Sequence, residues 1–217
     1  MTITIHGATG SPFVRKVKVA FAEKSIPFEQ ESLIPFGVSD EYKKKSPLGK
    51  IPCLEDGDFT LPDSSCIIAY AERLQPNPPL YPSDAKGLGR ALWYEEYADS
   101  KLTEVLTSFF FQRVIRKNFM QQEPDEEKLK EVAQNDLPPV LDYLEGELSD
   151  REYLVSGAFS VADLAVASPF VNYNHAGESV DASRWPALTA YLERIHSRPS
   201  YKACIEEEKA MFGGGGS

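Results

Sequence analysis

The stretch Gly10-Ser11-Pro12-Phe13-Val14-Arg15-Lys16-Val17 marks the point where a strand gives way to a helix. Before it, residues 2–6 alternate threonine and isoleucine, a pattern typical of a short strand. After its first residues, apolar side chains recur at helical spacing over 13–24. Ser11 suits the N-cap of this helix and Pro12 its first position. The stretch therefore predicts a strand–loop–helix unit with a hydroxyl at the helix N-terminus.

A second strand, a hairpin and a second helix are predicted further along the first third of the chain. Residues 28–31 suit a strand, and the pair Asp56-Gly57 between the runs 51–55 and 59–61 is a strong hairpin signal. Residues 64–74 return to a helical pattern. The polar residues before the hairpin, which end in three lysines, are interpreted as a solvated face. The order of elements predicts an α/β unit.

A proline-rich segment separates this unit from a different kind of sequence. Residues 75–84 hold four prolines and form a stiff connection. Beyond it apolar residues follow only helical periods, as over 102–110. We therefore predict an α/β domain over 1–76 and an all-helical domain over 85–212. The final residues, 213–217, read GGGGS and are predicted to form a flexible tail.

Composition bounds the classes of function. The 217 residues carry a formal net charge of −10, which excludes nucleic acid as the main partner because phosphate binding needs a basic surface. No apolar stretch reaches the ~20 residues that span a bilayer, and no signal peptide is predicted, so we expect no membrane partner. The three cysteines form neither a CxxC pair nor a zinc-binding spacing. We expect free thiols, no metal and a soluble protein in the cytoplasm.

The hydroxyl of Ser11 has one chemical and one structural interpretation. A helix N-terminus carries partial positive charge and free N–H groups, so it favours an anion such as a thiolate beside it. A hydrogen bond from Ser11 would then lower the pKa of a bound thiol. The structural alternative, which the segment alone favours, is that Ser11 only caps the helix.

The segment Ser46–Leu54 contains a proline where a predicted strand opens, a position at which it cannot donate to the ladder. If the Ile51–Pro52 bond is cis, the backbone of Ile51 turns outward and can pair with an extended peptide as an added strand. An ordinary trans proline is the alternative, and the segment alone favours it because only ~5–6% of X–Pro bonds are cis.

Asp63 and Ser64 stand immediately before the second helical pattern. Either residue suits an N-cap, which is a common use of both types. The alternative is a binding site for a ligand that carries a carboxylate and an ammonium group. Ser64 and its neighbouring N–H groups would then hold the carboxylate, and Asp63 the ammonium.

In order and spacing, these three segments resemble the thioredoxin-like domain of glutathione transferases. Ser11–Val14, with a basic pair after it, looks like the serine-type classes of tau or theta kind. Residues 154–163 resemble the family's capping-box segment, with Ser160 as N-cap and Asp163 at the third helical position. Residues 185–199 resemble its late helices. The resemblance covers nearly the whole chain and implies a thioredoxin-like α/β domain followed by an all-α domain.

The resemblance also implies how glutathione, the expected co-substrate, would be bound. Ser11 would be the catalytic residue, donating a hydrogen bond to the sulfur so that the thiolate attacks an electrophile. Ile51 would pair with the cysteinyl backbone, Lys50 with the glycyl carboxylate, and Asp63-Ser64 with the γ-glutamyl group. The residues expected to bind glutathione are Lys50, Ile51, Pro52, Asp63 and Ser64.

By the same resemblance, a small hydrophobic electrophile would bind between the two domains, against a helix predicted over 85–117. The residues expected to face it are Phe13, Tyr97, Ser100, Phe109 and Arg113. Core packing is the alternative for Phe109, and a helix-dipole role is the alternative for Arg113. The tau pattern has a lysine in the region that corresponds to 34–40, where this chain has none, so the class and part of the glycyl-end contact stay open.

Several functions fit these features. The leading hypothesis is a detoxifying transferase that conjugates glutathione to small electrophiles. The same site would also suit glutathione-dependent peroxide reduction, dehalogenation or isomerisation. A third hypothesis is a non-catalytic binding module, because some family members act through protein partners and fold alone does not separate these roles. The family usually forms homodimers through the first domain of one subunit and the second domain of the other, and we expect a homodimer here.

Overall fold

The computed structural model of the chain describes residues 2–213, and these fall into two units that are divided in sequence between Leu80 and Tyr81. The domain limits 1–76 and 85–212 lie inside these units. Of the predicted tail, residues 214–217 lie outside the described residues. No helix within 2–213 combines the length and the apolar character that crossing a membrane requires.

The first unit holds a four-stranded sheet with the strand order β2-β1-β3-β4. Strands β1 and β2 are parallel, whereas β1–β3 and β3–β4 are antiparallel. This order confirms the predicted succession of strand, helix, strand, hairpin and helix. The elements are β1 (Ile3–His6), α1 (Pro12–Glu23), β2 (Phe28–Glu31), α2 (Asp40–Lys45), β3 (Cys53–Asp56), β4 (Phe59–Pro62) and α3 (Ser64–Leu74).

The core of the first unit is formed by the apolar positions that the sequence pattern singles out. In the sheet, Ile5 and Leu54 are paired across β1 and β3 and are fully buried. Helix α1 packs against α3, and the buried side of α1 includes Val17 and Phe21. Val14 near the N-terminus of α1 and Cys53 at the start of β3 lie in one buried apolar cluster.

Helix α2 is absent from the sequence-based prediction, which treats this region as a solvated polar stretch. The side chain of Ser39 caps the helix by accepting from the Tyr42 N–H at 3.1 Å. Acidic residues occupy its first turn and lysines its last, which suits the helix dipole. Tyr42 is its one buried side chain, so six residues with a single apolar contact leave no periodic signal to detect.

The second unit is helical throughout its regular structure, as predicted, but its long first helix is not uniform. The helices are α4 (Ala85–Tyr97), α5 (Thr103–Phe110), α6 (Glu126–Glu131), α7 (Leu137–Leu148), α8 (Val161–His175), α9 (Pro186–His196) and α10 (Pro199–Gly213). The π-helical turns Ala98–Leu102 and Phe111–Phe119 follow α4 and α5, and Val132–Asp136 precedes α7. Prolines 138 and 139, which are predicted to kink or restart a helix, stand in the first turn of α7.

Helix α8 is the centre of the second unit and is buried from Val161 to Tyr173. Its predicted capping box is present, because the Asp163 side chain accepts from the Ser160 N–H at 2.9 Å and the Ser160 side chain accepts from the Asp163 N–H. Asp163 further accepts from the Leu154 N–H and the Tyr191 hydroxyl. One buried carboxylate thus joins α8, α9 and the loop before α8.

Candidate functional site

Ser11 lies at the N-terminus of α1 in extended backbone, and its Oγ accepts from the Val14 N–H at 3.4 Å. The side chain is partly exposed. The chain that leaves β1 approaches α1 closely at Gly7, because a Cβ atom at Gly7 would stand 2.4 Å from Val14 Cγ2. A hydroxyl that accepts through its oxygen keeps a proton that it can donate. Ser11 therefore caps the helix, and the cap does not use up its donor.

The loop before β3 contains a cis Ile51–Pro52 bond. The pairing of β3 with β1 begins at Cys53, so Ile51 precedes the ladder. The carbonyl of Lys50 accepts two hydrogen bonds, from the Tyr42 hydroxyl at 2.9 Å and the Ser46 hydroxyl at 2.8 Å. The Lys50 side chain is exposed. The backbone next to the cis proline is thus held from one side by two side chains.

Asp63, and not Ser64, is the N-cap of α3. Its Oδ1 accepts from the N–H groups of Ser65 and Cys66 at 3.0 and 3.1 Å. Its backbone has a φ of +79°, a conformation that costs about 1–3 kcal/mol for a residue other than glycine and that tends to occur at functional sites. Ser64, the next residue, is 3% exposed.

Contacts within the first unit bring the three motifs together. Val14 of α1 and Ile51 of the cis-proline loop belong to one buried apolar cluster, which also contains Tyr42 and Cys53. Lys16, which is 1% exposed, donates from Nζ to Ser65 Oγ at 3.0 Å and so connects α1 to the first turn of α3. The structure therefore joins Ser11, Ile51 and Asp63 through residues close to each in sequence.

An ion-pair network lies beside the loop. Glu55 on β3 contacts Lys45 at the end of α2 at 2.5 Å and the His6 ring at 2.9 Å. The hydrogen bond from Lys45, and then that from His6, lower the pKa of Glu55 below its ordinary value. The bond to Glu55 correspondingly raises the pKa of Lys45. The network ties the end of α2 to the sheet. Among residues 2–213, no group of three or more histidine, cysteine or acidic side chains is arranged to hold a metal ion.

The residues predicted to face a second substrate have unequal environments. Phe13 is half-buried in the first turn of α1. Tyr97 is also half-buried, with its ring centroid 5.1 Å from that of Tyr143. Burial, and to a smaller extent the charge on Tyr143, raises the pKa of Tyr97 to about 12. Ser100 is exposed in a π-helical turn and donates to the Glu96 carbonyl at 2.7 Å.

The last two of these residues are engaged in contacts within the second unit. Phe109 is 2% exposed and packs edge-to-face on Tyr173, with ring centroids 5.1 Å apart. Arg113 is paired with Glu178 and, at 3.0 Å, with Glu126. Phe109 thus occupies the core position that its alternative interpretation describes, and Arg113 acts as a cross-link. Their place in a substrate pocket stays a prediction.

The sequence pattern does not single out Lys16 and Tyr42, which connect the segments around the candidate site. Lys16 follows Ser11 by five residues, and the sequence marks it only as one of a basic pair. Tyr42 lies on the helix that was not predicted.

Comparison with known proteins identifies the family. A family model for the glutathione S-transferase N-terminal domain matches residues 5–79, and a model for the C-terminal domain of the same enzymes matches residues 97–208. The chain belongs to the glutathione S-transferase family. The predicted membership of the glutathione transferase superfamily and the predicted fold class are thereby confirmed.

Three relatives show that the similarity extends over most of the chain. A glutathione S-transferase of Hyoscyamus muticus is 30% identical and covers 95% of this chain and 99% of its own length. A stringent starvation protein A homolog of Haemophilus ducreyi is 24% identical over 89% of this chain and 85% of the relative. A glutathione S-transferase of Methylobacterium radiotolerans, solved in complex with glutathione sulfonate, is 26% identical with a TM-score of 0.76, covering 94% of this chain and 95% of that one.

Proposed function

We propose that this glutathione transferase joins the sulfur of glutathione to small hydrophobic electrophiles, with Ser11 as its catalytic residue. The observation that carries the proposal is the position of the Ser11 hydroxyl, which accepts from the Val14 N–H and keeps its own proton for the thiolate. The thiol proton passes to solvent, the thiolate forms a carbon–sulfur bond, and the leaving group departs with its bonding electrons. The helix N-terminus adds partial positive charge beside the developing anion.

Glutathione is the co-substrate, extended along the loop edge of the first unit. Ile51, beside Pro52, pairs with its cysteinyl backbone, and the exposed Lys50 side chain meets the glycyl carboxylate. Asp63 uses Oδ1 in the helix cap, which leaves Oδ2 for the γ-glutamyl ammonium. The carboxylate of that group is held by Ser64 and the N-terminus of α3.

Replacing Ser11 tests the chemical step. In Ser11→Ala we expect kcat for an activated aryl chloride to fall about 10²–10³-fold, the range seen when one donor to a developing anion is removed. The affinity for the non-reacting analogue S-methylglutathione should change little. Ser11→Thr is the matched control, because threonine keeps both the hydroxyl and the cap and should retain most of the activity.

Near-unchanged turnover in Ser11→Ala would contradict this role of Ser11.

The alternatives on the same site, peroxide reduction, dehalogenation and isomerisation, are separated by assaying hydroperoxides, alkyl halides and isomerisable substrates with glutathione. A non-catalytic, protein-binding role is the second candidate, because one relative, the stringent starvation protein A homolog, does not carry the name of a transferase. Failure of the protein to bind immobilised glutathione, together with a stably co-purifying partner, would favour that role.

For the second substrate, Phe13 and Tyr97 are the strongest of the predicted residues, because both aromatic side chains are half-buried. Ser100, Phe109 and Arg113 are the weaker candidates. Within the described residues the three cysteines form no disulfide, which supports a reducing compartment such as the cytoplasm.

We also propose a homodimer. Large apolar side chains are exposed on each unit: Phe59 and Leu74, at 44% and 49% exposure, on the first, and Leu92 and Trp93, at 47% and 48%, on the second. A partner subunit that covered these side chains would remove apolar surface from water, which favours association. Light scattering should give twice the chain mass for the wild type and the mass of one chain for Trp93→Glu. A monomeric wild type would contradict the dimer.

A further inference from the structure

The carbonyl of Lys50 has an unusual number of side-chain partners for a loop carbonyl. The Tyr42 and Ser46 hydroxyls both donate to it, at 2.9 and 2.8 Å. Both donors are buried, with Tyr42 5% and Ser46 1% exposed. A carbonyl oxygen has two lone pairs, so these two hydroxyls saturate it. We call Tyr42 and Ser46 the hydroxyl clamp.

The clamp also determines where the next backbone N–H points. The cis bonds of the described chain are Ile51–Pro52 and Asn77–Pro78, so the Lys50–Ile51 bond is trans. In a planar trans peptide the C=O and the following N–H point in opposite directions. Holding the Lys50 carbonyl toward α2 therefore directs the Ile51 N–H away from α2. Within residues 2–213 the Ile51 N–H donates to no other group of the protein.

We propose that Tyr42 and Ser46 are positioning residues that hold the Lys50–Ile51 peptide plane in the orientation needed to pair with glutathione. The proposal rests on the function proposed above, because the ligand of the Ile51 backbone is glutathione. Neither hydroxyl touches the thiol. Their effect is to organise the loop before the ligand arrives, which raises affinity by removing the cost of ordering it.

The surroundings keep the clamp rigid and protonated. Tyr42 packs in the apolar cluster with Val14, Ile51 and Cys53, and the Ser46 N–H donates to the Tyr42 carbonyl at 2.9 Å. Burial, with a smaller contribution from Cys53, raises the pKa of Tyr42 to about 12. The tyrosine therefore remains a hydrogen-bond donor at every pH at which a glutathione transferase is assayed.

The test compares Tyr42→Phe, Ser46→Ala and the double variant by calorimetric titration with S-methylglutathione. Each single variant leaves the carbonyl with one donor, so we expect affinity to fall only about 2–5-fold. The double variant leaves the carbonyl without a side-chain donor, and we expect a loss of about 30-fold or more, which exceeds the product of the two single effects. At saturating glutathione, kcat should stay within about twofold because Ser11 is untouched.

Two controls separate positioning from general stability. Tyr70→Phe removes another hydroxyl of the first unit, which donates to Asp56 at 2.6 Å away from the loop, and should leave affinity unchanged. Ser46→Thr keeps the hydroxyl and should keep the affinity. If the double variant is poorly folded, the comparison of Ser46→Ala with Ser46→Thr carries the test.

The outcomes distinguish this inference from the proposed function. Wild-type affinity in the double variant, with only a lower melting temperature, would overturn the clamp and leave glutathione binding in place. A loss of kcat without a loss of affinity would also overturn it. If the wild type itself does not bind S-methylglutathione, the proposed function fails, and the clamp's role fails with it.

Discussion

Two sets of polar side chains, one in each unit, act over different distances along the chain. In the first unit, Ser11, Ser46 and Asp63 serve backbone groups only two to four residues away, and so they shape loops and helix ends. In the second unit, Asp163 and Arg113 also reach partners 28 and 65 residues away and hold distant segments together. The difference implies that substitutions in the first set change ligand affinity or chemistry more than stability, whereas substitutions in the second set do the reverse.

The largest stability effect is expected at Asp163. This side chain is fully buried, and its carboxylate accepts from the Leu154 and Ser160 N–H groups at 2.9 Å and from the Tyr191 hydroxyl at 3.1 Å. Asp163→Ala leaves these donors without their partner, and each unsatisfied buried group costs about 1–3 kcal/mol. We expect the free energy of unfolding to fall by at least about 3 kcal/mol in denaturant titrations.

Asp181→Ala is the matched control for this prediction. Asp181 also accepts from a backbone N–H and a hydroxyl, both of Ser183, but it is exposed and its partners lie two residues away. Water replaces such bonds, so the midpoint of unfolding should hardly move. The folded fraction of Asp163→Ala should still bind S-methylglutathione. Equal losses of stability in the two variants, or lost affinity in folded Asp163→Ala, would break the comparison between the units.

The same difference explains which features the sequence predicts. The cap at Ser11, the hairpin at Asp56-Gly57 and the capping box at Ser160 each depend on residues within four positions, so their types and spacing suffice to find them. Helix α2 is local as well, but it buries only Tyr42 and therefore lacks a periodic apolar pattern. The hydroxyl clamp could not be predicted from the sequence either, because its prediction requires knowing that Tyr42 of α2 faces the Lys50 carbonyl.

Contacts between distant residues set the environments that sequence could not predict. The surroundings of Phe109 depend on Tyr173, and those of Arg113 depend on Glu178, each more than sixty residues away. The π-helical turns that follow α4 and α5 likewise shift the side chains beyond them around the helix axis. Residue types on a long helix therefore suggest a substrate pocket, but tertiary packing decides which side chains remain available to line it.

Among the residues predicted to affect stability, Arg113 is expected to have the smallest effect. Replacing it also tests whether tertiary packing keeps this side chain out of the substrate pocket. Its guanidinium pairs with Glu178 and Glu126 and is about one-third exposed, so Arg113→Met should lower the free energy of unfolding by only about 1 kcal/mol. Lys101→Met, which loses a more exposed pair with Asp136 at 3.4 Å, should cost less still. If Arg113 is only a cross-link, KM for the electrophile stays unchanged in Arg113→Met. A several-fold rise in that KM, with glutathione affinity retained, would show instead that the side chain contacts the second substrate. The helical unit would then use one residue for both packing and recognition.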